Sequence, residues 1–226
     1  MTKPVEFEAS CPCECPQAEA RFGEPRAGFW PRLGLWRDRQ LARRALQCAG
    51  EPGLVLDLPC ADGGFWPLLA EKTNRVIIAA DHSALRLEAA LARQPAELRR
   101  RIRPLQTSPL DIELSDSAVD SIFCMSLLSR VGEAPARHAL LREFHRVTRD
   151  SVVLSLWVDG NFSAWQRRRL EQRCLAAGEA RACRQHWVMP RGQIEREFAE
   201  VGFRIDAHYD CLPGYAMARF YVLRKG

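Results

Sequence analysis

Two aspartates, each closing a run of apolar residues, carry most of the chemical information in this chain. Asp57 follows Leu54-Val-Leu56 and precedes the small-residue turn Leu58-Pro-Cys-Ala-Asp-Gly-Gly64. Asp81 closes Val76-Ile-Ile-Ala-Ala80 and lies eighteen residues beyond Gly63. An acidic residue at that distance from a glycine-containing turn can accept hydrogen bonds from a ribose. The turn itself brings backbone N–H groups and the start of a helix, Phe65-Trp-Pro-Leu-Leu-Ala70, towards the same place.

Elements of a definite kind must hold those aspartates. Leu54, Val55, Leu56 and Leu58 form an apolar run, as in a strand buried on both faces. Its helix covers about 64–72, and a second strand covers 75–80. Asp81-His-Ser83 can cap a helix carrying Leu85, Leu87, Ala90 and Leu91, which stops near Pro95. Further strands are expected at Ile102–Gln106, Val119–Cys124 and Ser151–Trp157, with a helix opening at Pro135. The alternation implies parallel βαβ units with right-handed crossovers and helices on both faces. Helices at 165–182 and 190–201 follow, then two strand candidates, 202–209 and 218–223. A turn around Pro213-Gly214 joins these as an antiparallel pair at the sheet edge. Before all of this, Leu41, Ala45, Leu46 and Cys48 mark a helix ended by Gly50-Glu-Pro-Gly53.

Composition sets the bounds. At 226 residues and 47% apolar content the chain suits one large domain. No apolar run approaches the roughly 18 residues of a membrane helix. The first residues lack the basic-then-apolar order of a secretory signal, so a cytoplasmic location is expected. Residues 1–28, rich in Pro, Glu, Gly and Cys, read as a flexible arm, and 29–226 as the folded domain. Net charge is +5, and all but three of the 33 basic residues are Arg. A GC-rich coding bias accounts for that excess more simply than a nucleic-acid role. Nine cysteines, an odd number, argue against a disulfide framework. Cys11, Cys13 and Cys15 are spaced more tightly than a zinc pair and have no second pair, so no metal site is expected.

Four segments in this order resemble the class I S-adenosylmethionine-dependent methyltransferases, in the group that includes the quinone-biosynthesis enzymes. They are Val55–Gly64, Ala80–Ser83, Ser115–Val131 and Leu141–Leu156. The resemblance implies an α/β, Rossmann-like sheet, mostly parallel with a C-terminal antiparallel hairpin. It implies methyl transfer from S-adenosylmethionine to a small-molecule or lipid-like acceptor. Carried over residue by residue, Asp57 would meet the methionine ammonium, and the backbone at Pro59, Cys60, Ala61 and Gly63 would pass close to the cofactor. Asp81 would hold the ribose hydroxyls and His82 would contact adenine. Ser108 would face the adenine amino group. Cys124 and Met125 would sit between cofactor and acceptor.

The chain also departs from the family pattern. Pro59 and Ala61 stand where its first two glycines fall, and Ser108 stands where an acid or amide is usual. These departures motivate an alternative reading as a non-catalytic binding or scaffold protein. RNA methylation is a further alternative, suggested by the arginines between 165 and 184. Displacement at a sulfonium needs alignment and exclusion of water more than a catalytic triad. Of the candidate bases His138, His145, His186, His208 and Tyr215, His186 is favoured. It lies beside Trp187 in an acceptor-side insertion at about 158–190.

Overall fold

The computed structural model describes residues 29–176 and 187–226. The N-terminal arm and His186 therefore lie outside the described residues. The first helix, α1, spans Phe29–Cys48. Alternating elements follow: β1 (Leu54–Asp57), α2 (Trp66–Leu69), β2 (Val76–Asp81), α3 (Ala84–Ala92), α4 (Ala96–Arg99) and β3 (Ile102–Gln106). β4 (Val119–Met125) leads into a 3-10 turn at Leu128–Arg130, then α5 (Ala134–Val147) and β5 (Thr148–Trp157). The chain continues through α6 (Phe162–Ala176), α7 (Arg191–Glu200), β6 (Phe203–Asp210) and β7 (Ala218–Lys225).

The strands form one sheet in the order β3-β2-β1-β4-β5-β7-β6. The first five are parallel neighbours, while β7 runs antiparallel to both β5 and β6. The expected mostly parallel sheet with a late antiparallel pair is thus observed. β7 enters between β5 and β6, so β6 forms the outer edge.

Side-chain alternation explains why helices cover both faces. Leu56, Ile122, Leu154 and Tyr221 point to one side, where α5 supplies Leu140, Leu141, Phe144 and Val147, and α7 supplies Ile194 and Phe198. Val55, Phe123, Val153 and Val222 point to the other, against Leu41, Ala45 and Leu46 of α1, Trp66 of α2, and Leu87 and Ala90 of α3. Two buried arginines pin the layers. Arg137 of α5 grips Glu197 of α7 through two bonds of 2.8 and 2.6 Å, with both side chains at least 95% buried. Arg75 ties Leu69, Pro52 and Glu51 together behind β1.

Several boundaries moved. α2 is a single turn rather than nine residues, because Trp66 swings under the preceding loop and the chain turns away at Ala70. β5 begins three residues early, at Thr148, where the hydroxyl of Thr148 donates to the Ser151 carbonyl. α6 starts at Phe162 instead of 165, capped by the Asn161 side chain, which accepts from the Ala164 N–H at 2.9 Å. Among the described residues no helix is long and apolar enough to cross a membrane.

Candidate functional site at the carboxyl ends of β1, β2 and β4

Strand order reverses at β1, which lies between β2 and β4. At such a switch point the loops leaving adjacent strands part in opposite directions and open a crevice. Asp57 ends β1 and Asp81 ends β2, so the topology delivers both carboxylates to that crevice.

The turn after β1 is tightly built. The N–H of Cys60 donates to the Ala80 carbonyl, and that of Gly63 to the Cys60 carbonyl, both at 2.9 Å. Ala61 has φ +50° and Gly63 φ +73°. Ala61 thus takes up the left-handed conformation for which a glycine is usual, at a cost of about 1–2 kcal/mol. Gly63 has a separate reason to be glycine: a Cβ there would lie 2.5 Å from the ring of Trp66.

Trp66 is the residue that sequence reasoning missed. It is fully buried beneath the turn, and its indole N–H donates to Asp57 Oδ2 at 2.9 Å. No periodic pattern links positions 57 and 66. The only trace in the sequence is a large aromatic one turn beyond an obligatory glycine. Asp57 itself is 3% exposed. Burial pushes its carboxyl up to about 8, against the opposing pull of the Trp66 hydrogen bond, and the nearby charges of Asp62 and Asp81 raise it further. A carboxyl near 4 when unfolded and near 8 when folded binds more protons in the native state across that interval. Its contribution to stability is therefore largest below pH 4 and declines as pH rises towards 8. Asp57→Asn, whose amide oxygen can still accept from Trp66, is expected to remove this decline. Urea unfolding should find the variant the more stable by at least about 1 kcal/mol near pH 8, with a smaller difference near pH 5.

Asp81 is differently placed. One carboxylate oxygen, Oδ1, accepts from the Ser83 N–H at 3.0 Å and lies 3.1 Å from His82 Nδ1. The other, Oδ2, is buried and has no hydrogen-bond partner among the described residues. A buried acceptor left open is costly, so this atom is suited to a donor that arrives with a ligand. The fit to a ribose hydroxyl is direct.

The remaining predicted residues separate into rim and floor. His82 is exposed beside Asp81, and Gln106 Nε2 donates to its carbonyl at 3.2 Å. Ser108 lies two residues beyond β3, where its hydroxyl accepts from the Leu110 N–H. Met125 ends β4 and is half-buried. Cys60 and Cys124 are buried, 4% and 0% exposed, and burial pushes both thiols up. Cys124 therefore packs below the mouth of β4 as a small apolar side chain and does not line it. Of the candidate bases, His145 packs on Phe203, His208 lies against Tyr221 on the outer strands, and His138 sits 3.4 Å from Glu200. Tyr215 is exposed in the loop between β6 and β7, stacked on Phe162, which in turn stacks on Trp165.

Residues 55–151, a little under half of the chain, match the family model for a methyltransferase domain. The fold is that of a class I methyltransferase. Its resemblance to solved structures extends well beyond the matched segment. Magnesium protoporphyrin IX methyltransferase (ChlM) from Synechocystis PCC 6803, solved with bound SAH, is 14% identical, with 93% of each chain covered and a TM-score of 0.70. A SAM-dependent methyltransferase from Methanosarcina mazei is 16% identical, covering 76% of this chain and 92% of that one, with a TM-score of 0.60. The [4+2]-cyclase SpnF is 14% identical over 82% of each chain, with a TM-score of 0.61. No protein with a curated description matches the sequence. The presence of a cyclase in this group means that the methyltransferase fold alone does not fix the reaction.

Proposed function

We propose that the protein binds S-adenosylmethionine in the crevice above β1 and transfers its methyl group to a small-molecule or lipid-like acceptor. The observation that carries this reading is the buried, half-satisfied carboxylate of Asp81, with Oδ1 occupied and Oδ2 open. The cofactor supplies an electrophilic methyl on a sulfonium, which leaves as a neutral thioether. The chain's own residues position and shield. Asp81 accepts from the ribose, and the charges of Asp62 and Asp81, close enough to raise the proton affinity of Asp57, favour a ligand carrying positive charge. Gly63, Ala61 and Pro59 shape the turn against which the methionine part lies, and His82 and Ser108 flank the adenine. The segment 158–190 builds the acceptor side, with His186 as the base if the acceptor needs one.

One observation favours a second reading, a scaffold without catalysis. The Trp66 indole already donates to Oδ2 of Asp57, the side chain assigned to the methionine ammonium. Calorimetric titration with S-adenosylhomocysteine decides between them. Micromolar binding is expected from the enzyme. A folded protein that binds neither S-adenosylhomocysteine nor S-adenosylmethionine leaves the scaffold reading standing alone.

A further inference from the structure

Two arginines stand in the segments that leave β2 and β4 beside the same crevice, and are used by nothing described so far. Arg86 sits in the first turn of α3, five residues beyond Asp81. Arg130 ends the 3-10 turn that leaves β4. β2 and β4 flank β1 on its two sides, so the two residues stand on opposite sides of the carboxyl end of β1. Both residues are half-buried. Each donates a backbone hydrogen bond, Arg86 to the Ser83 side chain and Arg130 to the Leu127 carbonyl. Neither side chain makes a hydrogen bond or ion pair among the described residues. Most other arginines near the sheet are committed: Arg75, Arg101, Arg137, Arg146, Arg219 and Arg224 all hold carbonyls or carboxylates.

The two groups also feel each other. Burial, and then the positive charge of Arg86, push the Arg130 guanidinium below its usual range, while Asp81 and Cys124 act in the opposite direction. Arg86 likewise exerts a field on Cys60, in the turn after β1. Two like charges held near one another, half out of water and without counter-ions, are unfavourable unless an anion joins them. Asp81 does not fill that role. It lies within the field of Arg130, yet its Oδ2 has no partner and Arg130 donates to no carboxylate. Donors and acceptor thus lie within one another's fields without pairing, which suits a ligand side carrying both hydroxyl and anionic groups.

We propose that Arg86 and Arg130 form a clamp for a negatively charged methyl acceptor, a carboxylate or a phosphate, held over the cofactor at the mouth between β2 and β4. This rests on the methyltransferase reading and narrows its acceptor from any small molecule to an acid. Arginine forks recognise both kinds of anion through paired N–H donors.

The test uses the full chain and simple probes: benzoate, inorganic phosphate and the uncharged benzamide, titrated with and without saturating S-adenosylhomocysteine. The proteins are wild type, Arg86→Gln, Arg130→Gln and the double variant, each first shown to be folded by circular dichroism. At least one anion should bind wild type at millimolar concentration, and benzamide should not. Affinity should fall about tenfold for each arginine removed, while that for S-adenosylhomocysteine stays within about threefold. The proposal is overturned if neither anion binds wild type, or if both variants bind the anion as wild type does. It is equally overturned if S-adenosylhomocysteine affinity falls in step, because the arginines would then hold the cofactor's own carboxylate. Failure of the cofactor reading looks different: S-adenosylhomocysteine does not bind, while the anion titrations still respond to the two substitutions.

Discussion

Asp81→Ala is expected to weaken S-adenosylhomocysteine binding by at least about 100-fold, because two hydrogen bonds to a buried carboxylate, each worth about 1.5–3 kcal/mol, are lost together. The substitution has a second effect that must be separated from the first. Asp81 Oδ1 also accepts from the Ser83 N–H at the start of α3, so alanine loosens that helix. Asp81→Asn keeps an acceptor for Ser83 and places an amide donor where Oδ2 stood. It should retain most of the stability and still lose about tenfold or more in affinity, since a donor then meets a hydroxyl and the charge is gone. Calorimetry on both variants checks this. Wild-type affinity in Asp81→Asn would remove the ribose role.

Trp66→Ala is the second large effect, and it falls on stability. The side chain is fully buried between the turn after β1 and the core, and its truncation is expected to cost about 3–5 kcal/mol. In a domain of this size that corresponds to a fall in melting temperature of about 6–20 °C. The loss has two parts, a cavity under Gly63 and an Asp57 carboxyl without its donor. Trp66→Phe fills most of the cavity but leaves Asp57 unpartnered, so its cost isolates the second part, about 1–3 kcal/mol. Thermal melts of the two variants give both numbers. A change below about 1 kcal/mol for Trp66→Ala would mean that the turn is not built on this side chain.

The contrast between these two residues shows where sequence reading succeeds. Asp81 was legible because its position follows from the chain direction alone: an apolar run, its end, and a spacing from a glycine turn. The succession of strands along the chain followed in the same way, since buried parallel strands announce themselves by apolar runs such as Val76–Ala80 and Val152–Leu154. Trp66 was not legible. Its role depends on the indole turning back across a loop to reach a strand end, and a tryptophan at the start of a helix reads first as core. Arg86 and Arg130 were hidden for a different reason. In a chain whose basic residues are nearly all arginine, composition gives no reason to single out any two of them. What distinguishes this pair is the absence of partners, which is a property of three-dimensional placement. Boundaries were set late as well: the single turn of α2 and the early start of β5 depend on Trp66 and on the Thr148 hydroxyl, respectively.

The position of β7 has a consequence for how the protein comes into being. β6 is made before β7 but touches the rest of the sheet only through it, with β7 pairing to β5 from Ser151 to Trp157 and to β6 from Phe203 to Asp210. A nascent chain that has emerged as far as Asp210 already holds five parallel strands and both helical layers, yet β6 has no edge to join. β5 at that stage presents a long, apolar, unpaired margin, the kind of edge on which chains associate with one another. Ribosome-bound chains halted before Ala218 should therefore be aggregation-prone and dependent on holding factors. Once the chain has emerged past Lys225, β7 closes the margin in one step by inserting between β5 and β6, both already made.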